Sequence, residues 1–84
     1  PNPFNPATAV RYDLPKSEHV KLTVFNLLGQ KVAILVDQIQ PAGRHTAVWD
    51  GRNDAGRPVA SGVYLYRIQA GDSYSDVRKM LLVR

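Results

Sequence analysis

The feature that most constrains the fold is an alternation of apolar and polar residues that recurs in several short segments. In residues 8–14, the side chains of Val10, Tyr12 and Leu14 fall on one face, and a proline closes the segment. Successive side chains of a β-strand point to opposite faces of a sheet, so this spacing predicts a half-buried strand. The same alternation, or a nearly continuous apolar run, recurs in residues 19–26, 44–50, 62–70 and 77–83.

One segment, residues 28–39, has two interpretations. Its apolar residues are spaced as an amphipathic helix would space them, between Gly29 and Pro41. Residues 31–36 also form an apolar run rich in β-branched side chains, which is typical of a strand. We favour the strand because every neighbouring segment is a predicted strand and the turn sequence "LGQK" allows a hairpin with residues 19–26.

Turn-forming residues separate these segments. Residues 41–44 read "PAGR", and residues 50–58 form a polar connection rich in Asp, Asn and Gly. Six or seven short strands joined by such turns predict an all-β fold, an antiparallel β-sandwich of about seven strands. Because the chain has no cysteine, its core must depend on Trp49, the tyrosines and the aliphatic faces of the strands.

The length and charge exclude several classes of protein. The 84 residues make one small domain, and no apolar run approaches the ~20 residues of a membrane-spanning helix. The net charge is +4, but the eleven basic residues are scattered among seven acidic ones. The charged residues form no basic stripe interleaved with aromatic residues, so the sequence predicts no nucleic-acid partner. The lack of a long apolar run predicts no transmembrane segment.

Catalytic chemistry and cofactors are not expected. Of the two histidines, His45 falls on the inward face with Trp49, which favours a partly buried structural role. The serines are isolated in the sequence from a base with an orienting carboxylate. The glycines are too dispersed for a phosphate-binding loop.

The loop of residues 50–58 is a weak candidate for a calcium site. Asp50, Asn53 and Asp54 could supply hard oxygen ligands. However, the loop lacks the order of an EF-hand and its final glutamate, and Asp, Asn and Gly are frequent in turns because their side chains bond to nearby backbone. We therefore predict a plain turn and no metal.

A carbohydrate site would need exposed aromatic side chains that lie side by side. The strand phases place only Phe4, Phe25 and Tyr74 outside the core. These residues are distant in sequence, so scattered surface or edge positions are the preferred interpretation.

The opening "PNPFNP" predicts a stiff, extended lead-in over residues 1–6. Pro1, Pro3 and Pro6 lack an N–H group and fix φ near −65°, and each proline also restricts the residue before it. Such a segment is typical of a junction between two units of a chain.

Four segments, taken in order, read "PNPFNPATAVRYDLP", "VKLTVFNLLGQKVAILV", "AGRHTAVWDGRNDAGRPVASGVYLYRI" and "RKMLLVR". Together they resemble a type A C-terminal sorting domain of the type 9 secretion system of Bacteroidetes-type bacteria. The resemblance covers essentially the whole chain. It implies an immunoglobulin-like sandwich that follows the N-terminal cargo domains of a larger exported protein. The implied partners are the outer-membrane translocon with its shuttle components and a sortase-like surface peptidase. The implied location is the periplasm in transit, then the cell surface or the medium.

The resemblance also assigns a sorting motif. Carried over by position, its residues are Pro1, Asn2, Pro3, Gly62, Tyr64, Lys79, Met80, Leu81, Leu82 and Val83. Cleavage is implied upstream of Pro1. Gly62 and Tyr64 also have a structural interpretation, as a tight strand entry and a core side chain.

A second resemblance is close. Residues 20–68 are similar to the immunoglobulin-like domain of flagellar hook-capping proteins, which shares the "WDG…G…SG.Y" pattern. It implies a structural assembly or adhesion module without a sorting role, and an accessory carbohydrate-binding module is a third possibility. The segments "PNPFNP" and "RKMLLVR" are expected only in the sorting pattern, so sorting ranks first.

Overall fold

The computed structural model describes residues 8–84, and these residues form strands without a helix. The six strands are β1 Thr8–Leu14, β2 Glu18–Phe25, β3 Lys31–Gln40, β4 Gly43–Trp49, β5 Gly62–Ala70 and β6 Tyr74–Leu82. The all-β prediction is confirmed, with six strands in the described residues where about seven were expected.

The strands form two antiparallel sheets. The smaller sheet pairs β1 with β4, and the larger has the order β3-β2-β5-β6. Tyr12 lies opposite His45 in the smaller sheet, and Leu22 lies opposite Ile68 in the larger one. The apolar faces of both sheets join in one core, which is the sandwich that the alternation predicts.

The ambiguous segment is a strand, β3, which pairs antiparallel with β2. The turn between them is organised by Asn26, whose side-chain Oδ1 accepts hydrogen bonds from the N–H groups of Leu28 and Gln30, each 3.0 Å long. Irregularities in the β2–β3 register shift the phase of β3 against β2. Such shifts disturb the strict alternation, which explains why the segment also fits helical spacing.

The core is built from the faces that the alternation assigns inward. Its centre is Trp49, which is 1% exposed and packs edge-to-face on Tyr64 at 4.9 Å between ring centroids. The Trp49 indole N–H donates to the carbonyl of Arg52 at 2.9 Å, so the one polar atom of the ring is satisfied. The other buried apolar residues are Val10, Leu14, Val20, Leu22, Val24, Ala33, Ala47, Ile68, Ala70, Met80 and Leu82.

Thr23 departs from the sequence prediction. The alternation places it on the outer, solvent-facing side of β2, yet it is only 2% exposed. Because β2 is a central strand, Thr23 lies between Ile34 of β3 and Arg67 of β5. A threonine among such long neighbours is covered by them even on the outer face of a sheet.

His45 has the structural role expected from its inward phase. Its ring stacks on Tyr12 at 5.4 Å between centroids, and its Nε2 lies 2.8 Å from the carbonyl of Pro41. The tyrosine hydroxyl in turn donates to Gln40. These contacts tie the β3–β4 turn to β1.

The loop after β4 requires glycine at two positions, and the pair offers a stability test. Gly51 and Gly56 have φ of 77° and 80°, where a side chain costs about 1–2 kcal/mol. A Cβ on Gly51 would lie 3.0 Å from Leu82 Cδ1, whereas one on Gly56 meets nothing within 4 Å. We therefore expect Gly51→Ala to lower the free energy of unfolding by about 1–3 kcal/mol more than Gly56→Ala does. Equal losses in urea denaturation would contradict the packing of this loop on β6.

Candidate functional site

The last strand, β6, carries much of the predicted sorting motif, and the structure divides these residues by face. Met80 and Leu82 are buried in the core. Lys79 and Leu81 are exposed on the side of the larger sheet that points away from the smaller sheet. Val83, just after the strand, is also exposed. One set of motif residues therefore supports the fold, and the other set lies at the surface.

The same strand forms an edge of the larger sheet. β6 pairs with β5 on one side, and its other side has no strand partner among the described residues. The carbonyl of Leu81 accepts a hydrogen bond from Thr8 Oγ1 at 3.1 Å. An edge strand presents unpaired backbone groups with which an incoming chain can form hydrogen bonds.

Arg84 fastens the segment after β6 to the loop between β4 and β5. Its backbone N–H donates to Ser61 Oγ at 3.0 Å, and its guanidinium donates to the carbonyl oxygens of Gly51 and Val59. Hydrogen bonds from a charged donor are stronger than neutral ones. The sequence analysis missed this contact because a single arginine carries no pattern that indicates its partner.

Gly62 and Tyr64 stand at the start of β5, and local structure accounts for both. Gly62 has a φ of 152°, which side-chain-bearing residues rarely adopt. The buried Tyr64 donates its hydroxyl to the carbonyl of Ala60 at 2.6 Å and packs on Trp49. Both predicted motif positions therefore have a role in the fold.

Two predictions lie outside the described residues: the opening motif of Pro1, Asn2 and Pro3, and the extended lead-in over residues 1–6. Phe4 also lies outside them. β1 begins at Thr8.

The side chains of the candidate calcium loop bond to backbone. Asp50 Oδ1 accepts from the N–H of Arg52 at 3.1 Å, and Asp54 Oδ1 accepts from the N–H of Ile34 at 3.0 Å. Asn53 Oδ1 accepts two such bonds, from Ala55 and Arg57. No group of three or more His, Asp or Glu side chains in residues 8–84 could hold a metal ion. The loop is thus a capped turn, as its composition suggests.

From this turn we predict that calcium does not stabilise the protein. A chelator should leave the melting temperature unchanged, and added calcium should not raise it, because only binding to the folded state stabilises by mass action. The check is a thermal melt across a calcium titration. A concentration-dependent rise that disappears in an Asp50→Ala, Asp54→Ala variant would contradict the prediction and make the loop a metal site.

His19, the other histidine, pairs with a carboxylate at the surface. Its Nε2 lies 2.7 Å from Asp37 Oδ1 across the β2–β3 pair, with both side chains about half exposed. Pairs of this kind contribute little to stability, about 0–1 kcal/mol. That the protein is not an enzyme stays a prediction.

The two predicted outer aromatic residues that lie within residues 8–84 do not converge. Phe25 lies opposite Leu65 near the start of β5, whereas Tyr74 lies opposite Ala70 at its other end. Phe25 is covered by the guanidinium of Arg67, 5.0 Å from the ring centroid. These two rings therefore form no shared platform for a sugar.

The described residues contain no helix long and apolar enough to cross a bilayer.

Comparison with curated proteins gives no match. A crystal structure of FLGD from P. aeruginosa is similar to the chain, with a TM-score of 0.73 and 25% sequence identity. The match covers 90% of this chain and 61% of that one, so the chain spans about three fifths of that protein's length.

Family comparison gives a match over most of the sequence. Residues 5–73 match the family model described as the FlgD Ig-like domain. This range includes β1 to β5 and ends immediately before β6. The chain belongs to the FlgD Ig-like domain family.

Proposed function

We propose that this immunoglobulin-like domain is a non-catalytic module of a larger exported protein, and that it acts as a C-terminal sorting domain for the type 9 secretion system. The observation that carries the proposal is the position of β6. It is an edge strand, its inward residues fix it in the core, and Lys79 and Leu81 are exposed beside its unpaired edge. A strand of this kind is suited to recognition by another protein.

The two ends of the sequence support sorting over a purely structural role. The family match covers residues 5–73, so β6 and the residues after it fall outside the matched range. The segments "PNPFNP" and "RKMLLVR" belong to the resemblance with sorting domains. The proposed role of β6 thus combines its edge position with that resemblance.

In this proposal the domain follows its cargo in the same chain. Translocon and shuttle components bind the folded domain in the periplasm, and a sortase-like peptidase cleaves upstream of Pro1 after export. The cargo then stays at the cell surface or leaves the cell.

The second candidate is a structural assembly module of the hook-cap type. The family match and the similarity to FLGD favour this candidate directly. In that role the domain would position neighbouring parts of an extracellular assembly, and the exposed residues of β6 would carry no transport signal.

A reporter fusion distinguishes the two candidates. The 84 residues are fused after a periplasm-targeted reporter and expressed in a bacterium with a type 9 system, and in the same strain without its translocon. We expect surface reporter in the first strain only, whereas the reporter alone stays in the periplasm of both. A fusion that remains periplasmic in both strains would contradict sorting and favour the structural module.

A further inference from the structure

The outer face of the four-stranded sheet carries several exposed apolar side chains. Here "outer face" means the side of β3, β2, β5 and β6 that points away from the smaller sheet. Over β5 and β6 the register brings Val63 opposite Leu81, and Leu65 lies beside Phe25 of β2. Val77 and Leu81 are 54% and 60% exposed. An apolar patch of this kind often marks an interaction site.

The charges on this face are mostly of one sign. By strand register, the four cations Lys21, Lys31, Arg67 and Lys79 lie on it. The carboxylate that the register places there is Asp37, which is already bonded to His19. The face therefore has excess positive charge available to a partner.

Arg67 is the centre of the face and has unused hydrogen-bonding capacity. Its guanidinium lies over Phe25, and no carboxylate in residues 8–84 forms an ion pair with it. Its Nε is buried without a hydrogen-bond partner, as is Oγ1 of its cross-strand neighbour Thr23. Both atoms are covered by the protein, so what Arg67 offers to an outside partner is its charge.

We propose that this outer face docks an extended, acidic and apolar segment of another protein. The inference rests on the proposed function and names the chemistry of the partner that would read β6. Charge complementarity calls for carboxylates opposite Arg67 and Lys79, and apolar side chains opposite Leu65, Val77 and Leu81.

The arrangement fits a protein strand better than a lipid surface. Along β6 the outer face presents Val77, Lys79 and Leu81 at two-residue intervals, which matches the side-chain period of an extended chain. The unpaired edge of β6 adjoins this face and offers backbone hydrogen bonds. A lipid headgroup would use the cations but leave the pattern and the edge unused.

Nuclear magnetic resonance titration of the chain tests the proposal. The probes are a peptide with the repeat Val-Ser-Glu-Ser, which places Val and Glu in turn on one face of an extended chain, the same peptide with Lys in place of Glu, and vesicles of anionic lipid. The test variant is Arg67→Glu with Lys79→Glu. The control, Arg44→Glu with Arg57→Glu, makes the same change in charge at exposed positions on β4 and in the 50–58 loop. Trp49 fluorescence checks that each variant is folded. If Arg67→Glu unfolds the domain, Lys79→Glu alone becomes the test variant.

We expect the Glu peptide to shift amide signals of β5 and β6 while the Lys peptide does not. The test variant should weaken binding about tenfold or more, and the control should keep most of it. Equal loss in both variants, shifts confined to β1 and β4, or binding to vesicles without binding to the peptide would each overturn the proposal. The titration does not depend on export, so its failure leaves the sorting role standing, and failed export leaves the docking result standing.

Discussion

Trp49→Ala is expected to unfold much of the protein. The indole is 1% exposed, packs on Tyr64 and has its N–H bonded to Arg52, so truncation leaves both a cavity and an unpaired carbonyl. Loss of a large buried aromatic ring costs about 3–5 kcal/mol. A chain of this size has a total stability of only about 0.05–0.15 kcal/mol per residue, so most of it would be lost. Urea denaturation followed by far-ultraviolet circular dichroism measures the loss.

The neighbouring residue is the control for this variant. Val48 is on the same strand but is 60% exposed on the other face. Val48→Ala should change stability by less than about 0.5 kcal/mol. Similar losses in the two variants, or unshifted exposed-type fluorescence from the single tryptophan, would contradict the sandwich.

Leu82→Ala is expected to have the second largest effect, about 2–5 kcal/mol. Leu82 is 1% exposed in the core, and its methyl groups lie against the backbone at Gly51. Leu81 is its matched control, because the same residue type on the same strand faces outward. Leu81→Ala should leave the free energy of unfolding nearly unchanged. A larger loss at Leu81 than at Leu82 would mean that the register of β6 is wrong.

The faces of the strands could be predicted because they follow from local periodicity. Val10, Tyr12 and Leu14 alternate, and the structure places them on the core side of β1. The segment at β3 could not be assigned by period alone. Its hydrogen-bonded pairing with β2, which local periodicity does not reveal, decides that it is a strand.

Other features depend on neighbours that a single sequence does not reveal. Thr23 is buried because β2 is central in its sheet, and the sheet order is not encoded in the alternation. The contacts of Arg84 with Gly51 and Val59 join residues far apart in the chain. Arg67 shows one local signal, a cation between two inward residues of a strand, but its position over Phe25 required the strand register.

For the predicted sorting motif, the resemblance gives the residues and the structure shows their environments. Met80, Leu82 and Tyr64 have roles in the core, which is why deletion of residues 79–84 is a poor test of recognition. Such a deletion would remove Leu82 and the contacts of Arg84, and an unfolded fusion would fail to be exported for a trivial reason. Exposed point substitutions avoid this ambiguity.

The most direct measurement is therefore the surface fraction of a reporter fused to the Lys79→Ala, Leu81→Ala variant. The matched control, Arg44→Ala with Val48→Ala, also removes one exposed cation and one exposed apolar side chain, but from the smaller sheet. Both variants should keep the melting temperature of the intact domain. If β6 is read by the transport machinery, the first fusion stays in the periplasm and the control reaches the surface. Export of both at the level of the intact domain would contradict the role of β6.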